Sequence, residues 1–170
     1  MKGLRVGDIV NVKGNTWLDK MVRYFTSSVY THSGLVYSVE KDYVVVAEMV
    51  SDGFRLKHYS RDYVWYDCGV YRHVDKRDGV SESDVKYMRD WIYEHRHSSY
   101  GFLTYFFLVL YYFFGWRSEW MSNQRLRSLI CSEYVALAYL DVWGLRVSDY
   151  PSYMVTPGEL SEGIFLFKVN

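Results

Sequence analysis

A cysteine at the start of a predicted helix carries the strongest chemical signal in the sequence. Cys131 opens the run 131–139, whose apolar spacing predicts a helix that Gly144 ends. The first amides of a helix have unpaired N–H groups and a partial positive charge, which stabilise a thiolate and lower a cysteine pKa from its free value of ~8.5. The sequence therefore predicts that Cys131 is a nucleophile.

A histidine and a glutamate earlier in the chain have the settings that a thiol nucleophile needs. His32 stands where the apolar, strand-like run 34–39 begins, and it is the predicted base. Glu48 lies near the end of the next predicted strand, over 43–49, where its carboxylate would orient the imidazole. The Ser-Gly-apolar continuation that follows His32 is missing after the other four histidines, which are His58, His73, His95 and His97.

The order of these residues resembles the circularly permuted NlpC/P60 papain-like hydrolases, the YiiX/YebB-like group. Histidine and glutamate come before the cysteine here, whereas most papain-like peptidases run cysteine first. The resemblance covers nearly the whole chain and is weakest between about residues 75 and 127. It rests on short motifs in one order: Gly7-Asp8-Ile9-Val10, His32-Ser33-Gly34, Ala47-Glu48, Asp52-Gly53, Cys131-Ser132-Glu133 and Thr156-Pro157-Gly158-Glu159-Leu160.

The resemblance implies an α+β fold of the permuted papain-like type, with a small antiparallel sheet or half-barrel and helices packed on one side. It implies a cysteine hydrolase that cleaves an amide bond in a peptide or a peptidoglycan stem peptide with a Cys131, His32 and Glu48 triad. The family has an assisting tyrosine between the carboxylate and the cysteine, and Tyr100 matches that position. Glu133 is predicted to stabilise the first helical turn, and residues 156–160 to support the structure.

Length and charge predict one domain over residues 1–170 with no obligatory nucleic-acid partner. Lysines plus arginines equal aspartates plus glutamates at 20 each. The sequence has no zinc-spaced cysteines and histidines and no Gly-rich phosphate loop, so we expect no metal and no cofactor. Cys68, in an aromatic strand-like run, is predicted to be a buried structural thiol. The lack of a signal peptide favours a cytoplasmic protein and suits a virus-encoded enzyme that acts in the host cell.

An aromatic run over residues 102–114, from Phe102 to Phe114, leaves the substrate class open. Its uncharged core is shorter than the ~20 apolar residues that cross a bilayer, so it predicts a buried helix or a membrane-surface contact. Such a patch would suit a thioesterase or acyltransferase acting on lipid-linked substrates with the same triad. A third hypothesis is a binding or inhibitory module that keeps the fold without turnover. The intact triad argues against that hypothesis.

The elements that must position these residues follow from the apolar periodicity. The strand pattern predicts a hairpin from residues 34–39 and 43–49, extended by further strands. Helix signals follow it in the second part of the chain. The predicted strands are 8–12, 34–39, 43–49, 53–59, 64–73 and 163–169, and the predicted helices are 16–25, 85–97, the aromatic run and 131–143.

Overall fold

A six-stranded antiparallel sheet forms the centre of the fold. The computed structural model describes residues 3–15, 17–101 and 128–169. The strands are β1 (Ile9–Val12), β2 (His32–Val39), β3 (Tyr43–Val50), β4 (Gly53–Ser60), β5 (Gly69–His73) and β8 (Leu166–Lys168). Their order across the sheet is β4-β3-β2-β1-β5-β8. The predicted α+β class is confirmed.

Helices and a short two-stranded pair complete the described residues. The helices are α1 (Trp17–Thr26), α2 (Arg61–Asp67), α3 (Glu82–Glu94), α4 (Cys131–Trp143) and α5 (Glu159–Glu162). Two further strands, β6 (Ser99–Tyr100) and β7 (Ser128–Leu129), pair in parallel. Helix α4 has the predicted bounds and ends at Gly144, which adopts the left-handed conformation with φ 65° that glycine tolerates.

Both faces of the sheet are covered, so the prediction of helices on one side only is wrong. The larger apolar cluster lies between one sheet face and helices α3 and α4, and it includes Leu35, Ala47 and Tyr134. The smaller cluster covers the opposite face, where Val64 of α2 joins Val46 of β3. Burial along β3 explains this, because all six residues from Val44 to Met49 are buried and successive side chains point to opposite faces.

The predicted strand over 64–73 is wrong in its first half. Residues up to Asp67 belong to α2, and only Gly69–His73 form a strand. Ser60 explains the helix, since its side chain accepts a hydrogen bond from the backbone N–H of Tyr63 and so caps the first turn. The aromatic residues of this stretch, which favour strands in general, do not outweigh that cap.

The aromatic run 102–114 lies outside the described residues, and the predicted buried helix or membrane contact there stays a prediction. Among the residues that the structure describes, no helix has the length and apolar character needed to cross a membrane.

Candidate active site

Strand pairing brings His32 and Glu48 to one face at the start of β2. Gly34 pairs directly with Glu48 across the β2–β3 ladder, and His32, two positions before Gly34, shares its face because side chains alternate. The His32 Nε2 atom lies 3.5 Å from the Glu48 Oε2 atom. A side chain at Gly34 would obstruct this approach: an added Cβ would lie 2.6 Å from the Val46 Cγ1 atom and 3.1 Å from the Glu48 Cγ atom.

The Glu48 carboxylate is fully buried and each of its oxygens has a partner. Arg55, directly opposite Glu48 on β4, donates to Oε2 from Nε at 2.9 Å and approaches it with Nη2 at 2.8 Å. The Tyr59 hydroxyl, also on β4, donates a hydrogen bond to Oε1. Burial alone would raise the pKa of Glu48, but bonds and charges from His32, Tyr59 and Arg55 lower the pKa to about 2. Glu48 is therefore ionised at neutral pH.

Cys131 begins α4 and points its sulfur at the start of β2. The β2–β3 ladder begins at the Gly34–Glu48 pair, so Ser33 precedes the first pair. The Ser33 backbone N–H hydrogen-bonds to the Cys131 sulfur, as does the N–H of Ser132. The sulfur also interacts with the His32 ring. The structure thus brings His32, Glu48 and Cys131 together.

The charges of the Cys131 and His32 pair favour a thiolate beside an imidazolium. Burial would raise the pKa of the Cys131 thiol, but His32 and the backbone N–H groups of Ser33 and Ser132 hold that pKa below its ordinary value. Burial would likewise lower the pKa of His32, but Cys131 and Glu48 raise it to about 10. About a fifth of the His32 side chain is exposed, so the ring stays accessible from the solvent side.

Buried polar side chains connect the C-terminal motif to the site. Asn11 on β1 donates from Nδ2 to the Pro157 carbonyl at 3.1 Å, and the Ser33 hydroxyl donates to Asn11 Oδ1 at 2.7 Å. The Ser132 hydroxyl donates to the Val155 carbonyl at 2.5 Å. The segment from Val155 to Pro157 therefore contacts Asn11, which binds Ser33 of β2, and Ser132 at the start of α4. Pro157 is the residue of the motif 156–160 that takes part in these contacts.

Tyr100 and Cys68 lie in different settings around this centre. Tyr100 on β6 pairs with Leu129 on β7, the strand that leads into Cys131, and its half-buried side chain packs on the larger cluster. Its role in chemistry stays a prediction. Cys68 is buried and free, and burial together with the charge of Asp67 raises the pKa of its thiol to about 11.

Sequence reasoning missed Arg55, Tyr59, Ser33 and Asn11. Strand periodicity carries a signal for the first two, because Arg55 and Tyr59 are separated by an even number of positions on β4 and so share a face. The tight β3–β4 turn, at whose end Gly53 has a φ of 106°, fixes the register that sets Arg55 against Glu48.

The described residues offer no ready metal centre. No group of three or more histidine, cysteine, aspartate or glutamate side chains among them is placed to hold a metal ion. Both Glu48 oxygens already accept hydrogen bonds from Arg55 and Tyr59. The Glu48 carboxylate, with both oxygens already bound, therefore does not fit a metal ion.

Comparison with known proteins finds similarity in structure and not in sequence. No protein-family model matches the chain, and no curated protein matches its sequence. The chain is similar to the crystal structure of the metalloprotein YiiX from Escherichia coli O157:H7, DUF1105, with a TM-score of 0.66 and 16% sequence identity. The match covers 98% of this chain and 96% of YiiX. The chain therefore has a YiiX-like fold.

Proposed function

We propose that the protein is a cysteine hydrolase of the permuted NlpC/P60 papain-like type, with Cys131 as nucleophile, His32 as base and Glu48 as the residue that orients the base. One observation carries the proposal: the Cys131 sulfur and the His32 ring interact at a helix start, while Nε2 of the same ring lies 3.5 Å from a buried carboxylate. A nucleophile, a base and an orienting group in this relation form a catalytic triad.

The chemical steps follow from the positions of these groups. His32 holds the proton of the Cys131 thiol, and the thiolate attacks the carbonyl carbon of an amide, forming a carbon–sulfur bond. The carbon–nitrogen bond then breaks, and His32 returns its proton to the leaving amine. His32 then deprotonates a water molecule, and the water oxygen attacks the carbonyl carbon of the thioester. The carbon–sulfur bond breaks and the acid leaves, while the proton stays on His32 and restores the thiolate–imidazolium pair.

Stabilisation of the oxyanion is assigned to backbone donors at the start of α4. The first N–H groups of a helix have no partner within it, and Cys131 holds the first position of α4. Removing a single oxyanion donor from an enzyme costs ~3–4 kcal/mol of transition-state stabilisation, so one such amide is a substantial contribution. Tyr100 is proposed as a second donor from β6.

The proposed substrate is a peptide or a peptidoglycan stem peptide. Support comes from the order His32, Glu48, Cys131, which resembles that of the permuted NlpC/P60 hydrolases. The alternative, acyl transfer from lipid-linked substrates, drew its support from the run 102–114, and the described residues add no observation in its favour.

Activity-based labelling with thiol-reactive acyl probes tests the proposal. Peptide and lipid acyl probes are incubated with the full chain, with Cys131→Ala and with Cys68→Ala as the matched control, and adducts are located by mass spectrometry. We expect peptide probes to label Cys131 in the parent and in Cys68→Ala, with slow release of the acyl group to water. Labelling by lipid probes alone would favour acyl transfer. An adduct that forms but never releases would favour a binding module, and an unlabelled Cys131 would contradict all enzymatic hypotheses.

A further inference from the structure

Arg55 forms the outer wall of the Glu48 site. It lies opposite Glu48 in the β3–β4 register, and both its Nε and its Nη2 atoms lie within 3 Å of the same carboxylate oxygen that faces His32. The side chain is about half exposed, at 47%, whereas Glu48 is fully buried. A cation thus stands between the orienting carboxylate and solvent.

Other titratable and charged groups around Glu48 come from each element packed against it. His32 approaches from β2, and the Tyr59 hydroxyl from β4, where the Lys57 ammonium lies over the Tyr59 ring at 4.3 Å. Tyr63 of α2 stacks on Tyr59, and both Tyr63 and Cys68, the residue after α2, interact with the charge of Glu48. Cys131 of α4 is the second partner of the His32 ring. Of these groups, Arg55 alone is a permanent cation in direct contact with the carboxylate.

We propose that Arg55 is a positioning residue that acts through Glu48, holding the carboxylate against the His32 ring and setting the pH range in which the Cys131–His32 pair is reactive. The proposal rests on the proposed function of that pair. Two donors on one oxygen fix its position, and a positive charge beside it offsets part of the negative charge that the imidazole experiences.

Replacing the Arg55 guanidinium by an uncharged polar group should shift the pH range in which the Cys131–His32 pair is reactive to higher pH. A lost positive charge raises the pKa of every group nearby, so thiolate formation on Cys131 and proton loss from the imidazolium both shift to higher pH. Because the guanidinium is half exposed, solvent screens its field, and we expect a shift of about half a unit to one unit.

The charge and the two-donor geometry can be separated by variants. Arg55→Gln removes the charge, whereas Arg55→Lys keeps the charge but loses the planar pair of donors. Tyr59→Phe removes the hydrogen bond to the other Glu48 oxygen without changing any charge. Arg61→Gln is the matched control, because Arg61 at the start of α2 donates to the Lys41 carbonyl and not to Glu48.

The experiment measures the rate of alkylation of Cys131 by iodoacetamide against pH, in full chains that carry Cys68→Ala. The two inflections of each profile report thiolate formation and loss of the imidazolium proton. We expect both inflections to move to higher pH in Arg55→Gln. In Arg55→Lys they should keep the pH of the parent, but the plateau rate of alkylation should be lower. In Tyr59→Phe and Arg61→Gln the inflections should also keep the pH of the parent. Circular dichroism confirms that each variant is folded.

Each result separates this inference from the proposed function. If the parent profile shows one ordinary thiol inflection near ~8.5, the Cys131–His32 pair itself fails. If the parent shows two inflections and Arg55→Gln leaves them unmoved, only the role of Arg55 is overturned. If Arg55→Gln does not fold, the Arg55→Lys variant is used instead. This variant keeps the positive charge, so its inflections should lie at the same pH as those of the parent. A shift of half a pH unit or more in Arg55→Lys would also overturn the role of Arg55.

Discussion

Glu48 is the residue on which the electrostatics of the site depend most. A fully buried carboxylate is costly unless it is paired and hydrogen-bonded, and this one is paired with both His32 and Arg55. Its negative charge is one reason why the largely buried imidazole of His32 holds a proton. The reactivity of Cys131 therefore depends on a residue that does not touch the substrate in the proposed mechanism.

Replacing Glu48 by glutamine should convert Cys131 toward an ordinary thiol. Glu48→Gln keeps the size of the side chain but removes the charge that supports the His32 imidazolium, so the pKa of His32 falls and the thiolate loses its partner. We expect the alkylation rate of Cys131 at neutral pH to fall about tenfold or more, which corresponds to a pKa change of one unit or more. Iodoacetamide kinetics with mass spectrometry give the rate, and a rate equal to that of the parent would contradict the role of Glu48.

The two cysteines should differ sharply in reactivity although both are buried. The pKa of Cys131 is lowered by His32 and backbone N–H groups, whereas burial and Asp67 raise the pKa of Cys68 to about 11. We expect brief iodoacetamide treatment of the folded protein at neutral pH to modify Cys131 and to leave Cys68 unmodified. Peptide mapping after digestion locates the adduct, and denatured protein, in which both thiols react, is the control. Preferential modification of Cys68 in folded protein would make the assignment wrong.

Elements, and not single residues, bring the predicted triad together. The site needs the β2–β3 register, the backbone N–H of Ser33 and the start of α4. Gly34 has a particular place in this arrangement, because it pairs with Glu48 and leaves room for the glutamate side chain beside His32.

Gly34→Ala should therefore damage the site through packing. The added Cβ would lie 2.6 Å from the Val46 Cγ1 atom and 2.9 Å from the Ala47 carbonyl oxygen, and a backbone atom of a central strand cannot easily move. We expect a loss of ~1–3 kcal/mol in the free energy of unfolding and slower alkylation of Cys131. Gly3→Ala is the matched control, since nothing lies within 4 Å of a Cβ there. Parent-like stability and reactivity in Gly34→Ala would contradict this account of the register.

Patterns with a strong local signal were predictable at the scale of elements. Alternation and a polar turn predicted the β2–β3 hairpin, and helical spacing with a terminal glycine predicted Cys131–Trp143. The α2 helix was missed because one serine cap outweighs strand-like composition. The β6–β7 pair was missed because strands of two residues carry no periodicity and a parallel partner far along the chain leaves no local mark.

Within the site, too, residues in local patterns were predictable, whereas residues that depend on pairing between strands were not. His32 and Cys131 were predictable because each is the first residue of an element with a local pattern, and Glu48 because it lies near the end of such a strand. Arg55 and Tyr59 were not predicted, because their partnership with Glu48 depends on the register between two strands and on which face of the sheet is covered.

At the scale of the molecule, distant parts of the chain meet around β1. Asp8, next to β1, forms a buried ion pair with Arg72 of β5, and the Tyr139 hydroxyl of α4 donates to the Gly7 carbonyl at 2.6 Å. Asn11 of β1 donates to the Pro157 carbonyl near the C-terminus. Contacts between both halves of the chain therefore hold the site together, and we expect the site to be lost when the whole domain unfolds.

Buried titratable groups give this stability a pH dependence with opposing signs. The pKa of Glu48 is lowered from 4.5 to about 2, so its contribution to stability is present above pH 4.5 and is lost as pH falls through 2. The pKa of His32 is raised from 6.5 to about 10, so its contribution is present below pH 6.5 and is lost as pH rises through 10. Between pH 4.5 and 6.5 neither group changes stability much.

Glu133 changes the stability of the fold from pH 4.5 upward, and its ionisation lowers stability whereas that of Glu48 raises it. It lies buried in the first turn of α4, and burial raises its pKa from 4.5 to about 7 against one hydrogen bond from the Ile130 backbone N–H. Between these pH values the folded state binds a proton that the unfolded state does not, so stability falls as pH rises from 4.5 to 7. A shift of this size corresponds to about 3 kcal/mol once pH exceeds 7.

Glu133→Gln should remove that loss while keeping an acceptor for the Ile130 N–H. We expect the free energy of unfolding of the variant, relative to the parent, to grow from near zero at pH 4.5 to about 3 kcal/mol at most above pH 7, because only the parent must ionise a buried carboxyl group. Urea denaturation across this pH range measures the difference. Glu82→Gln, which removes an exposed acid from the first turn of α3, controls for charge at a helix start. A difference that stays constant with pH would show that Glu133 does not titrate between the folded and unfolded states as its burial requires.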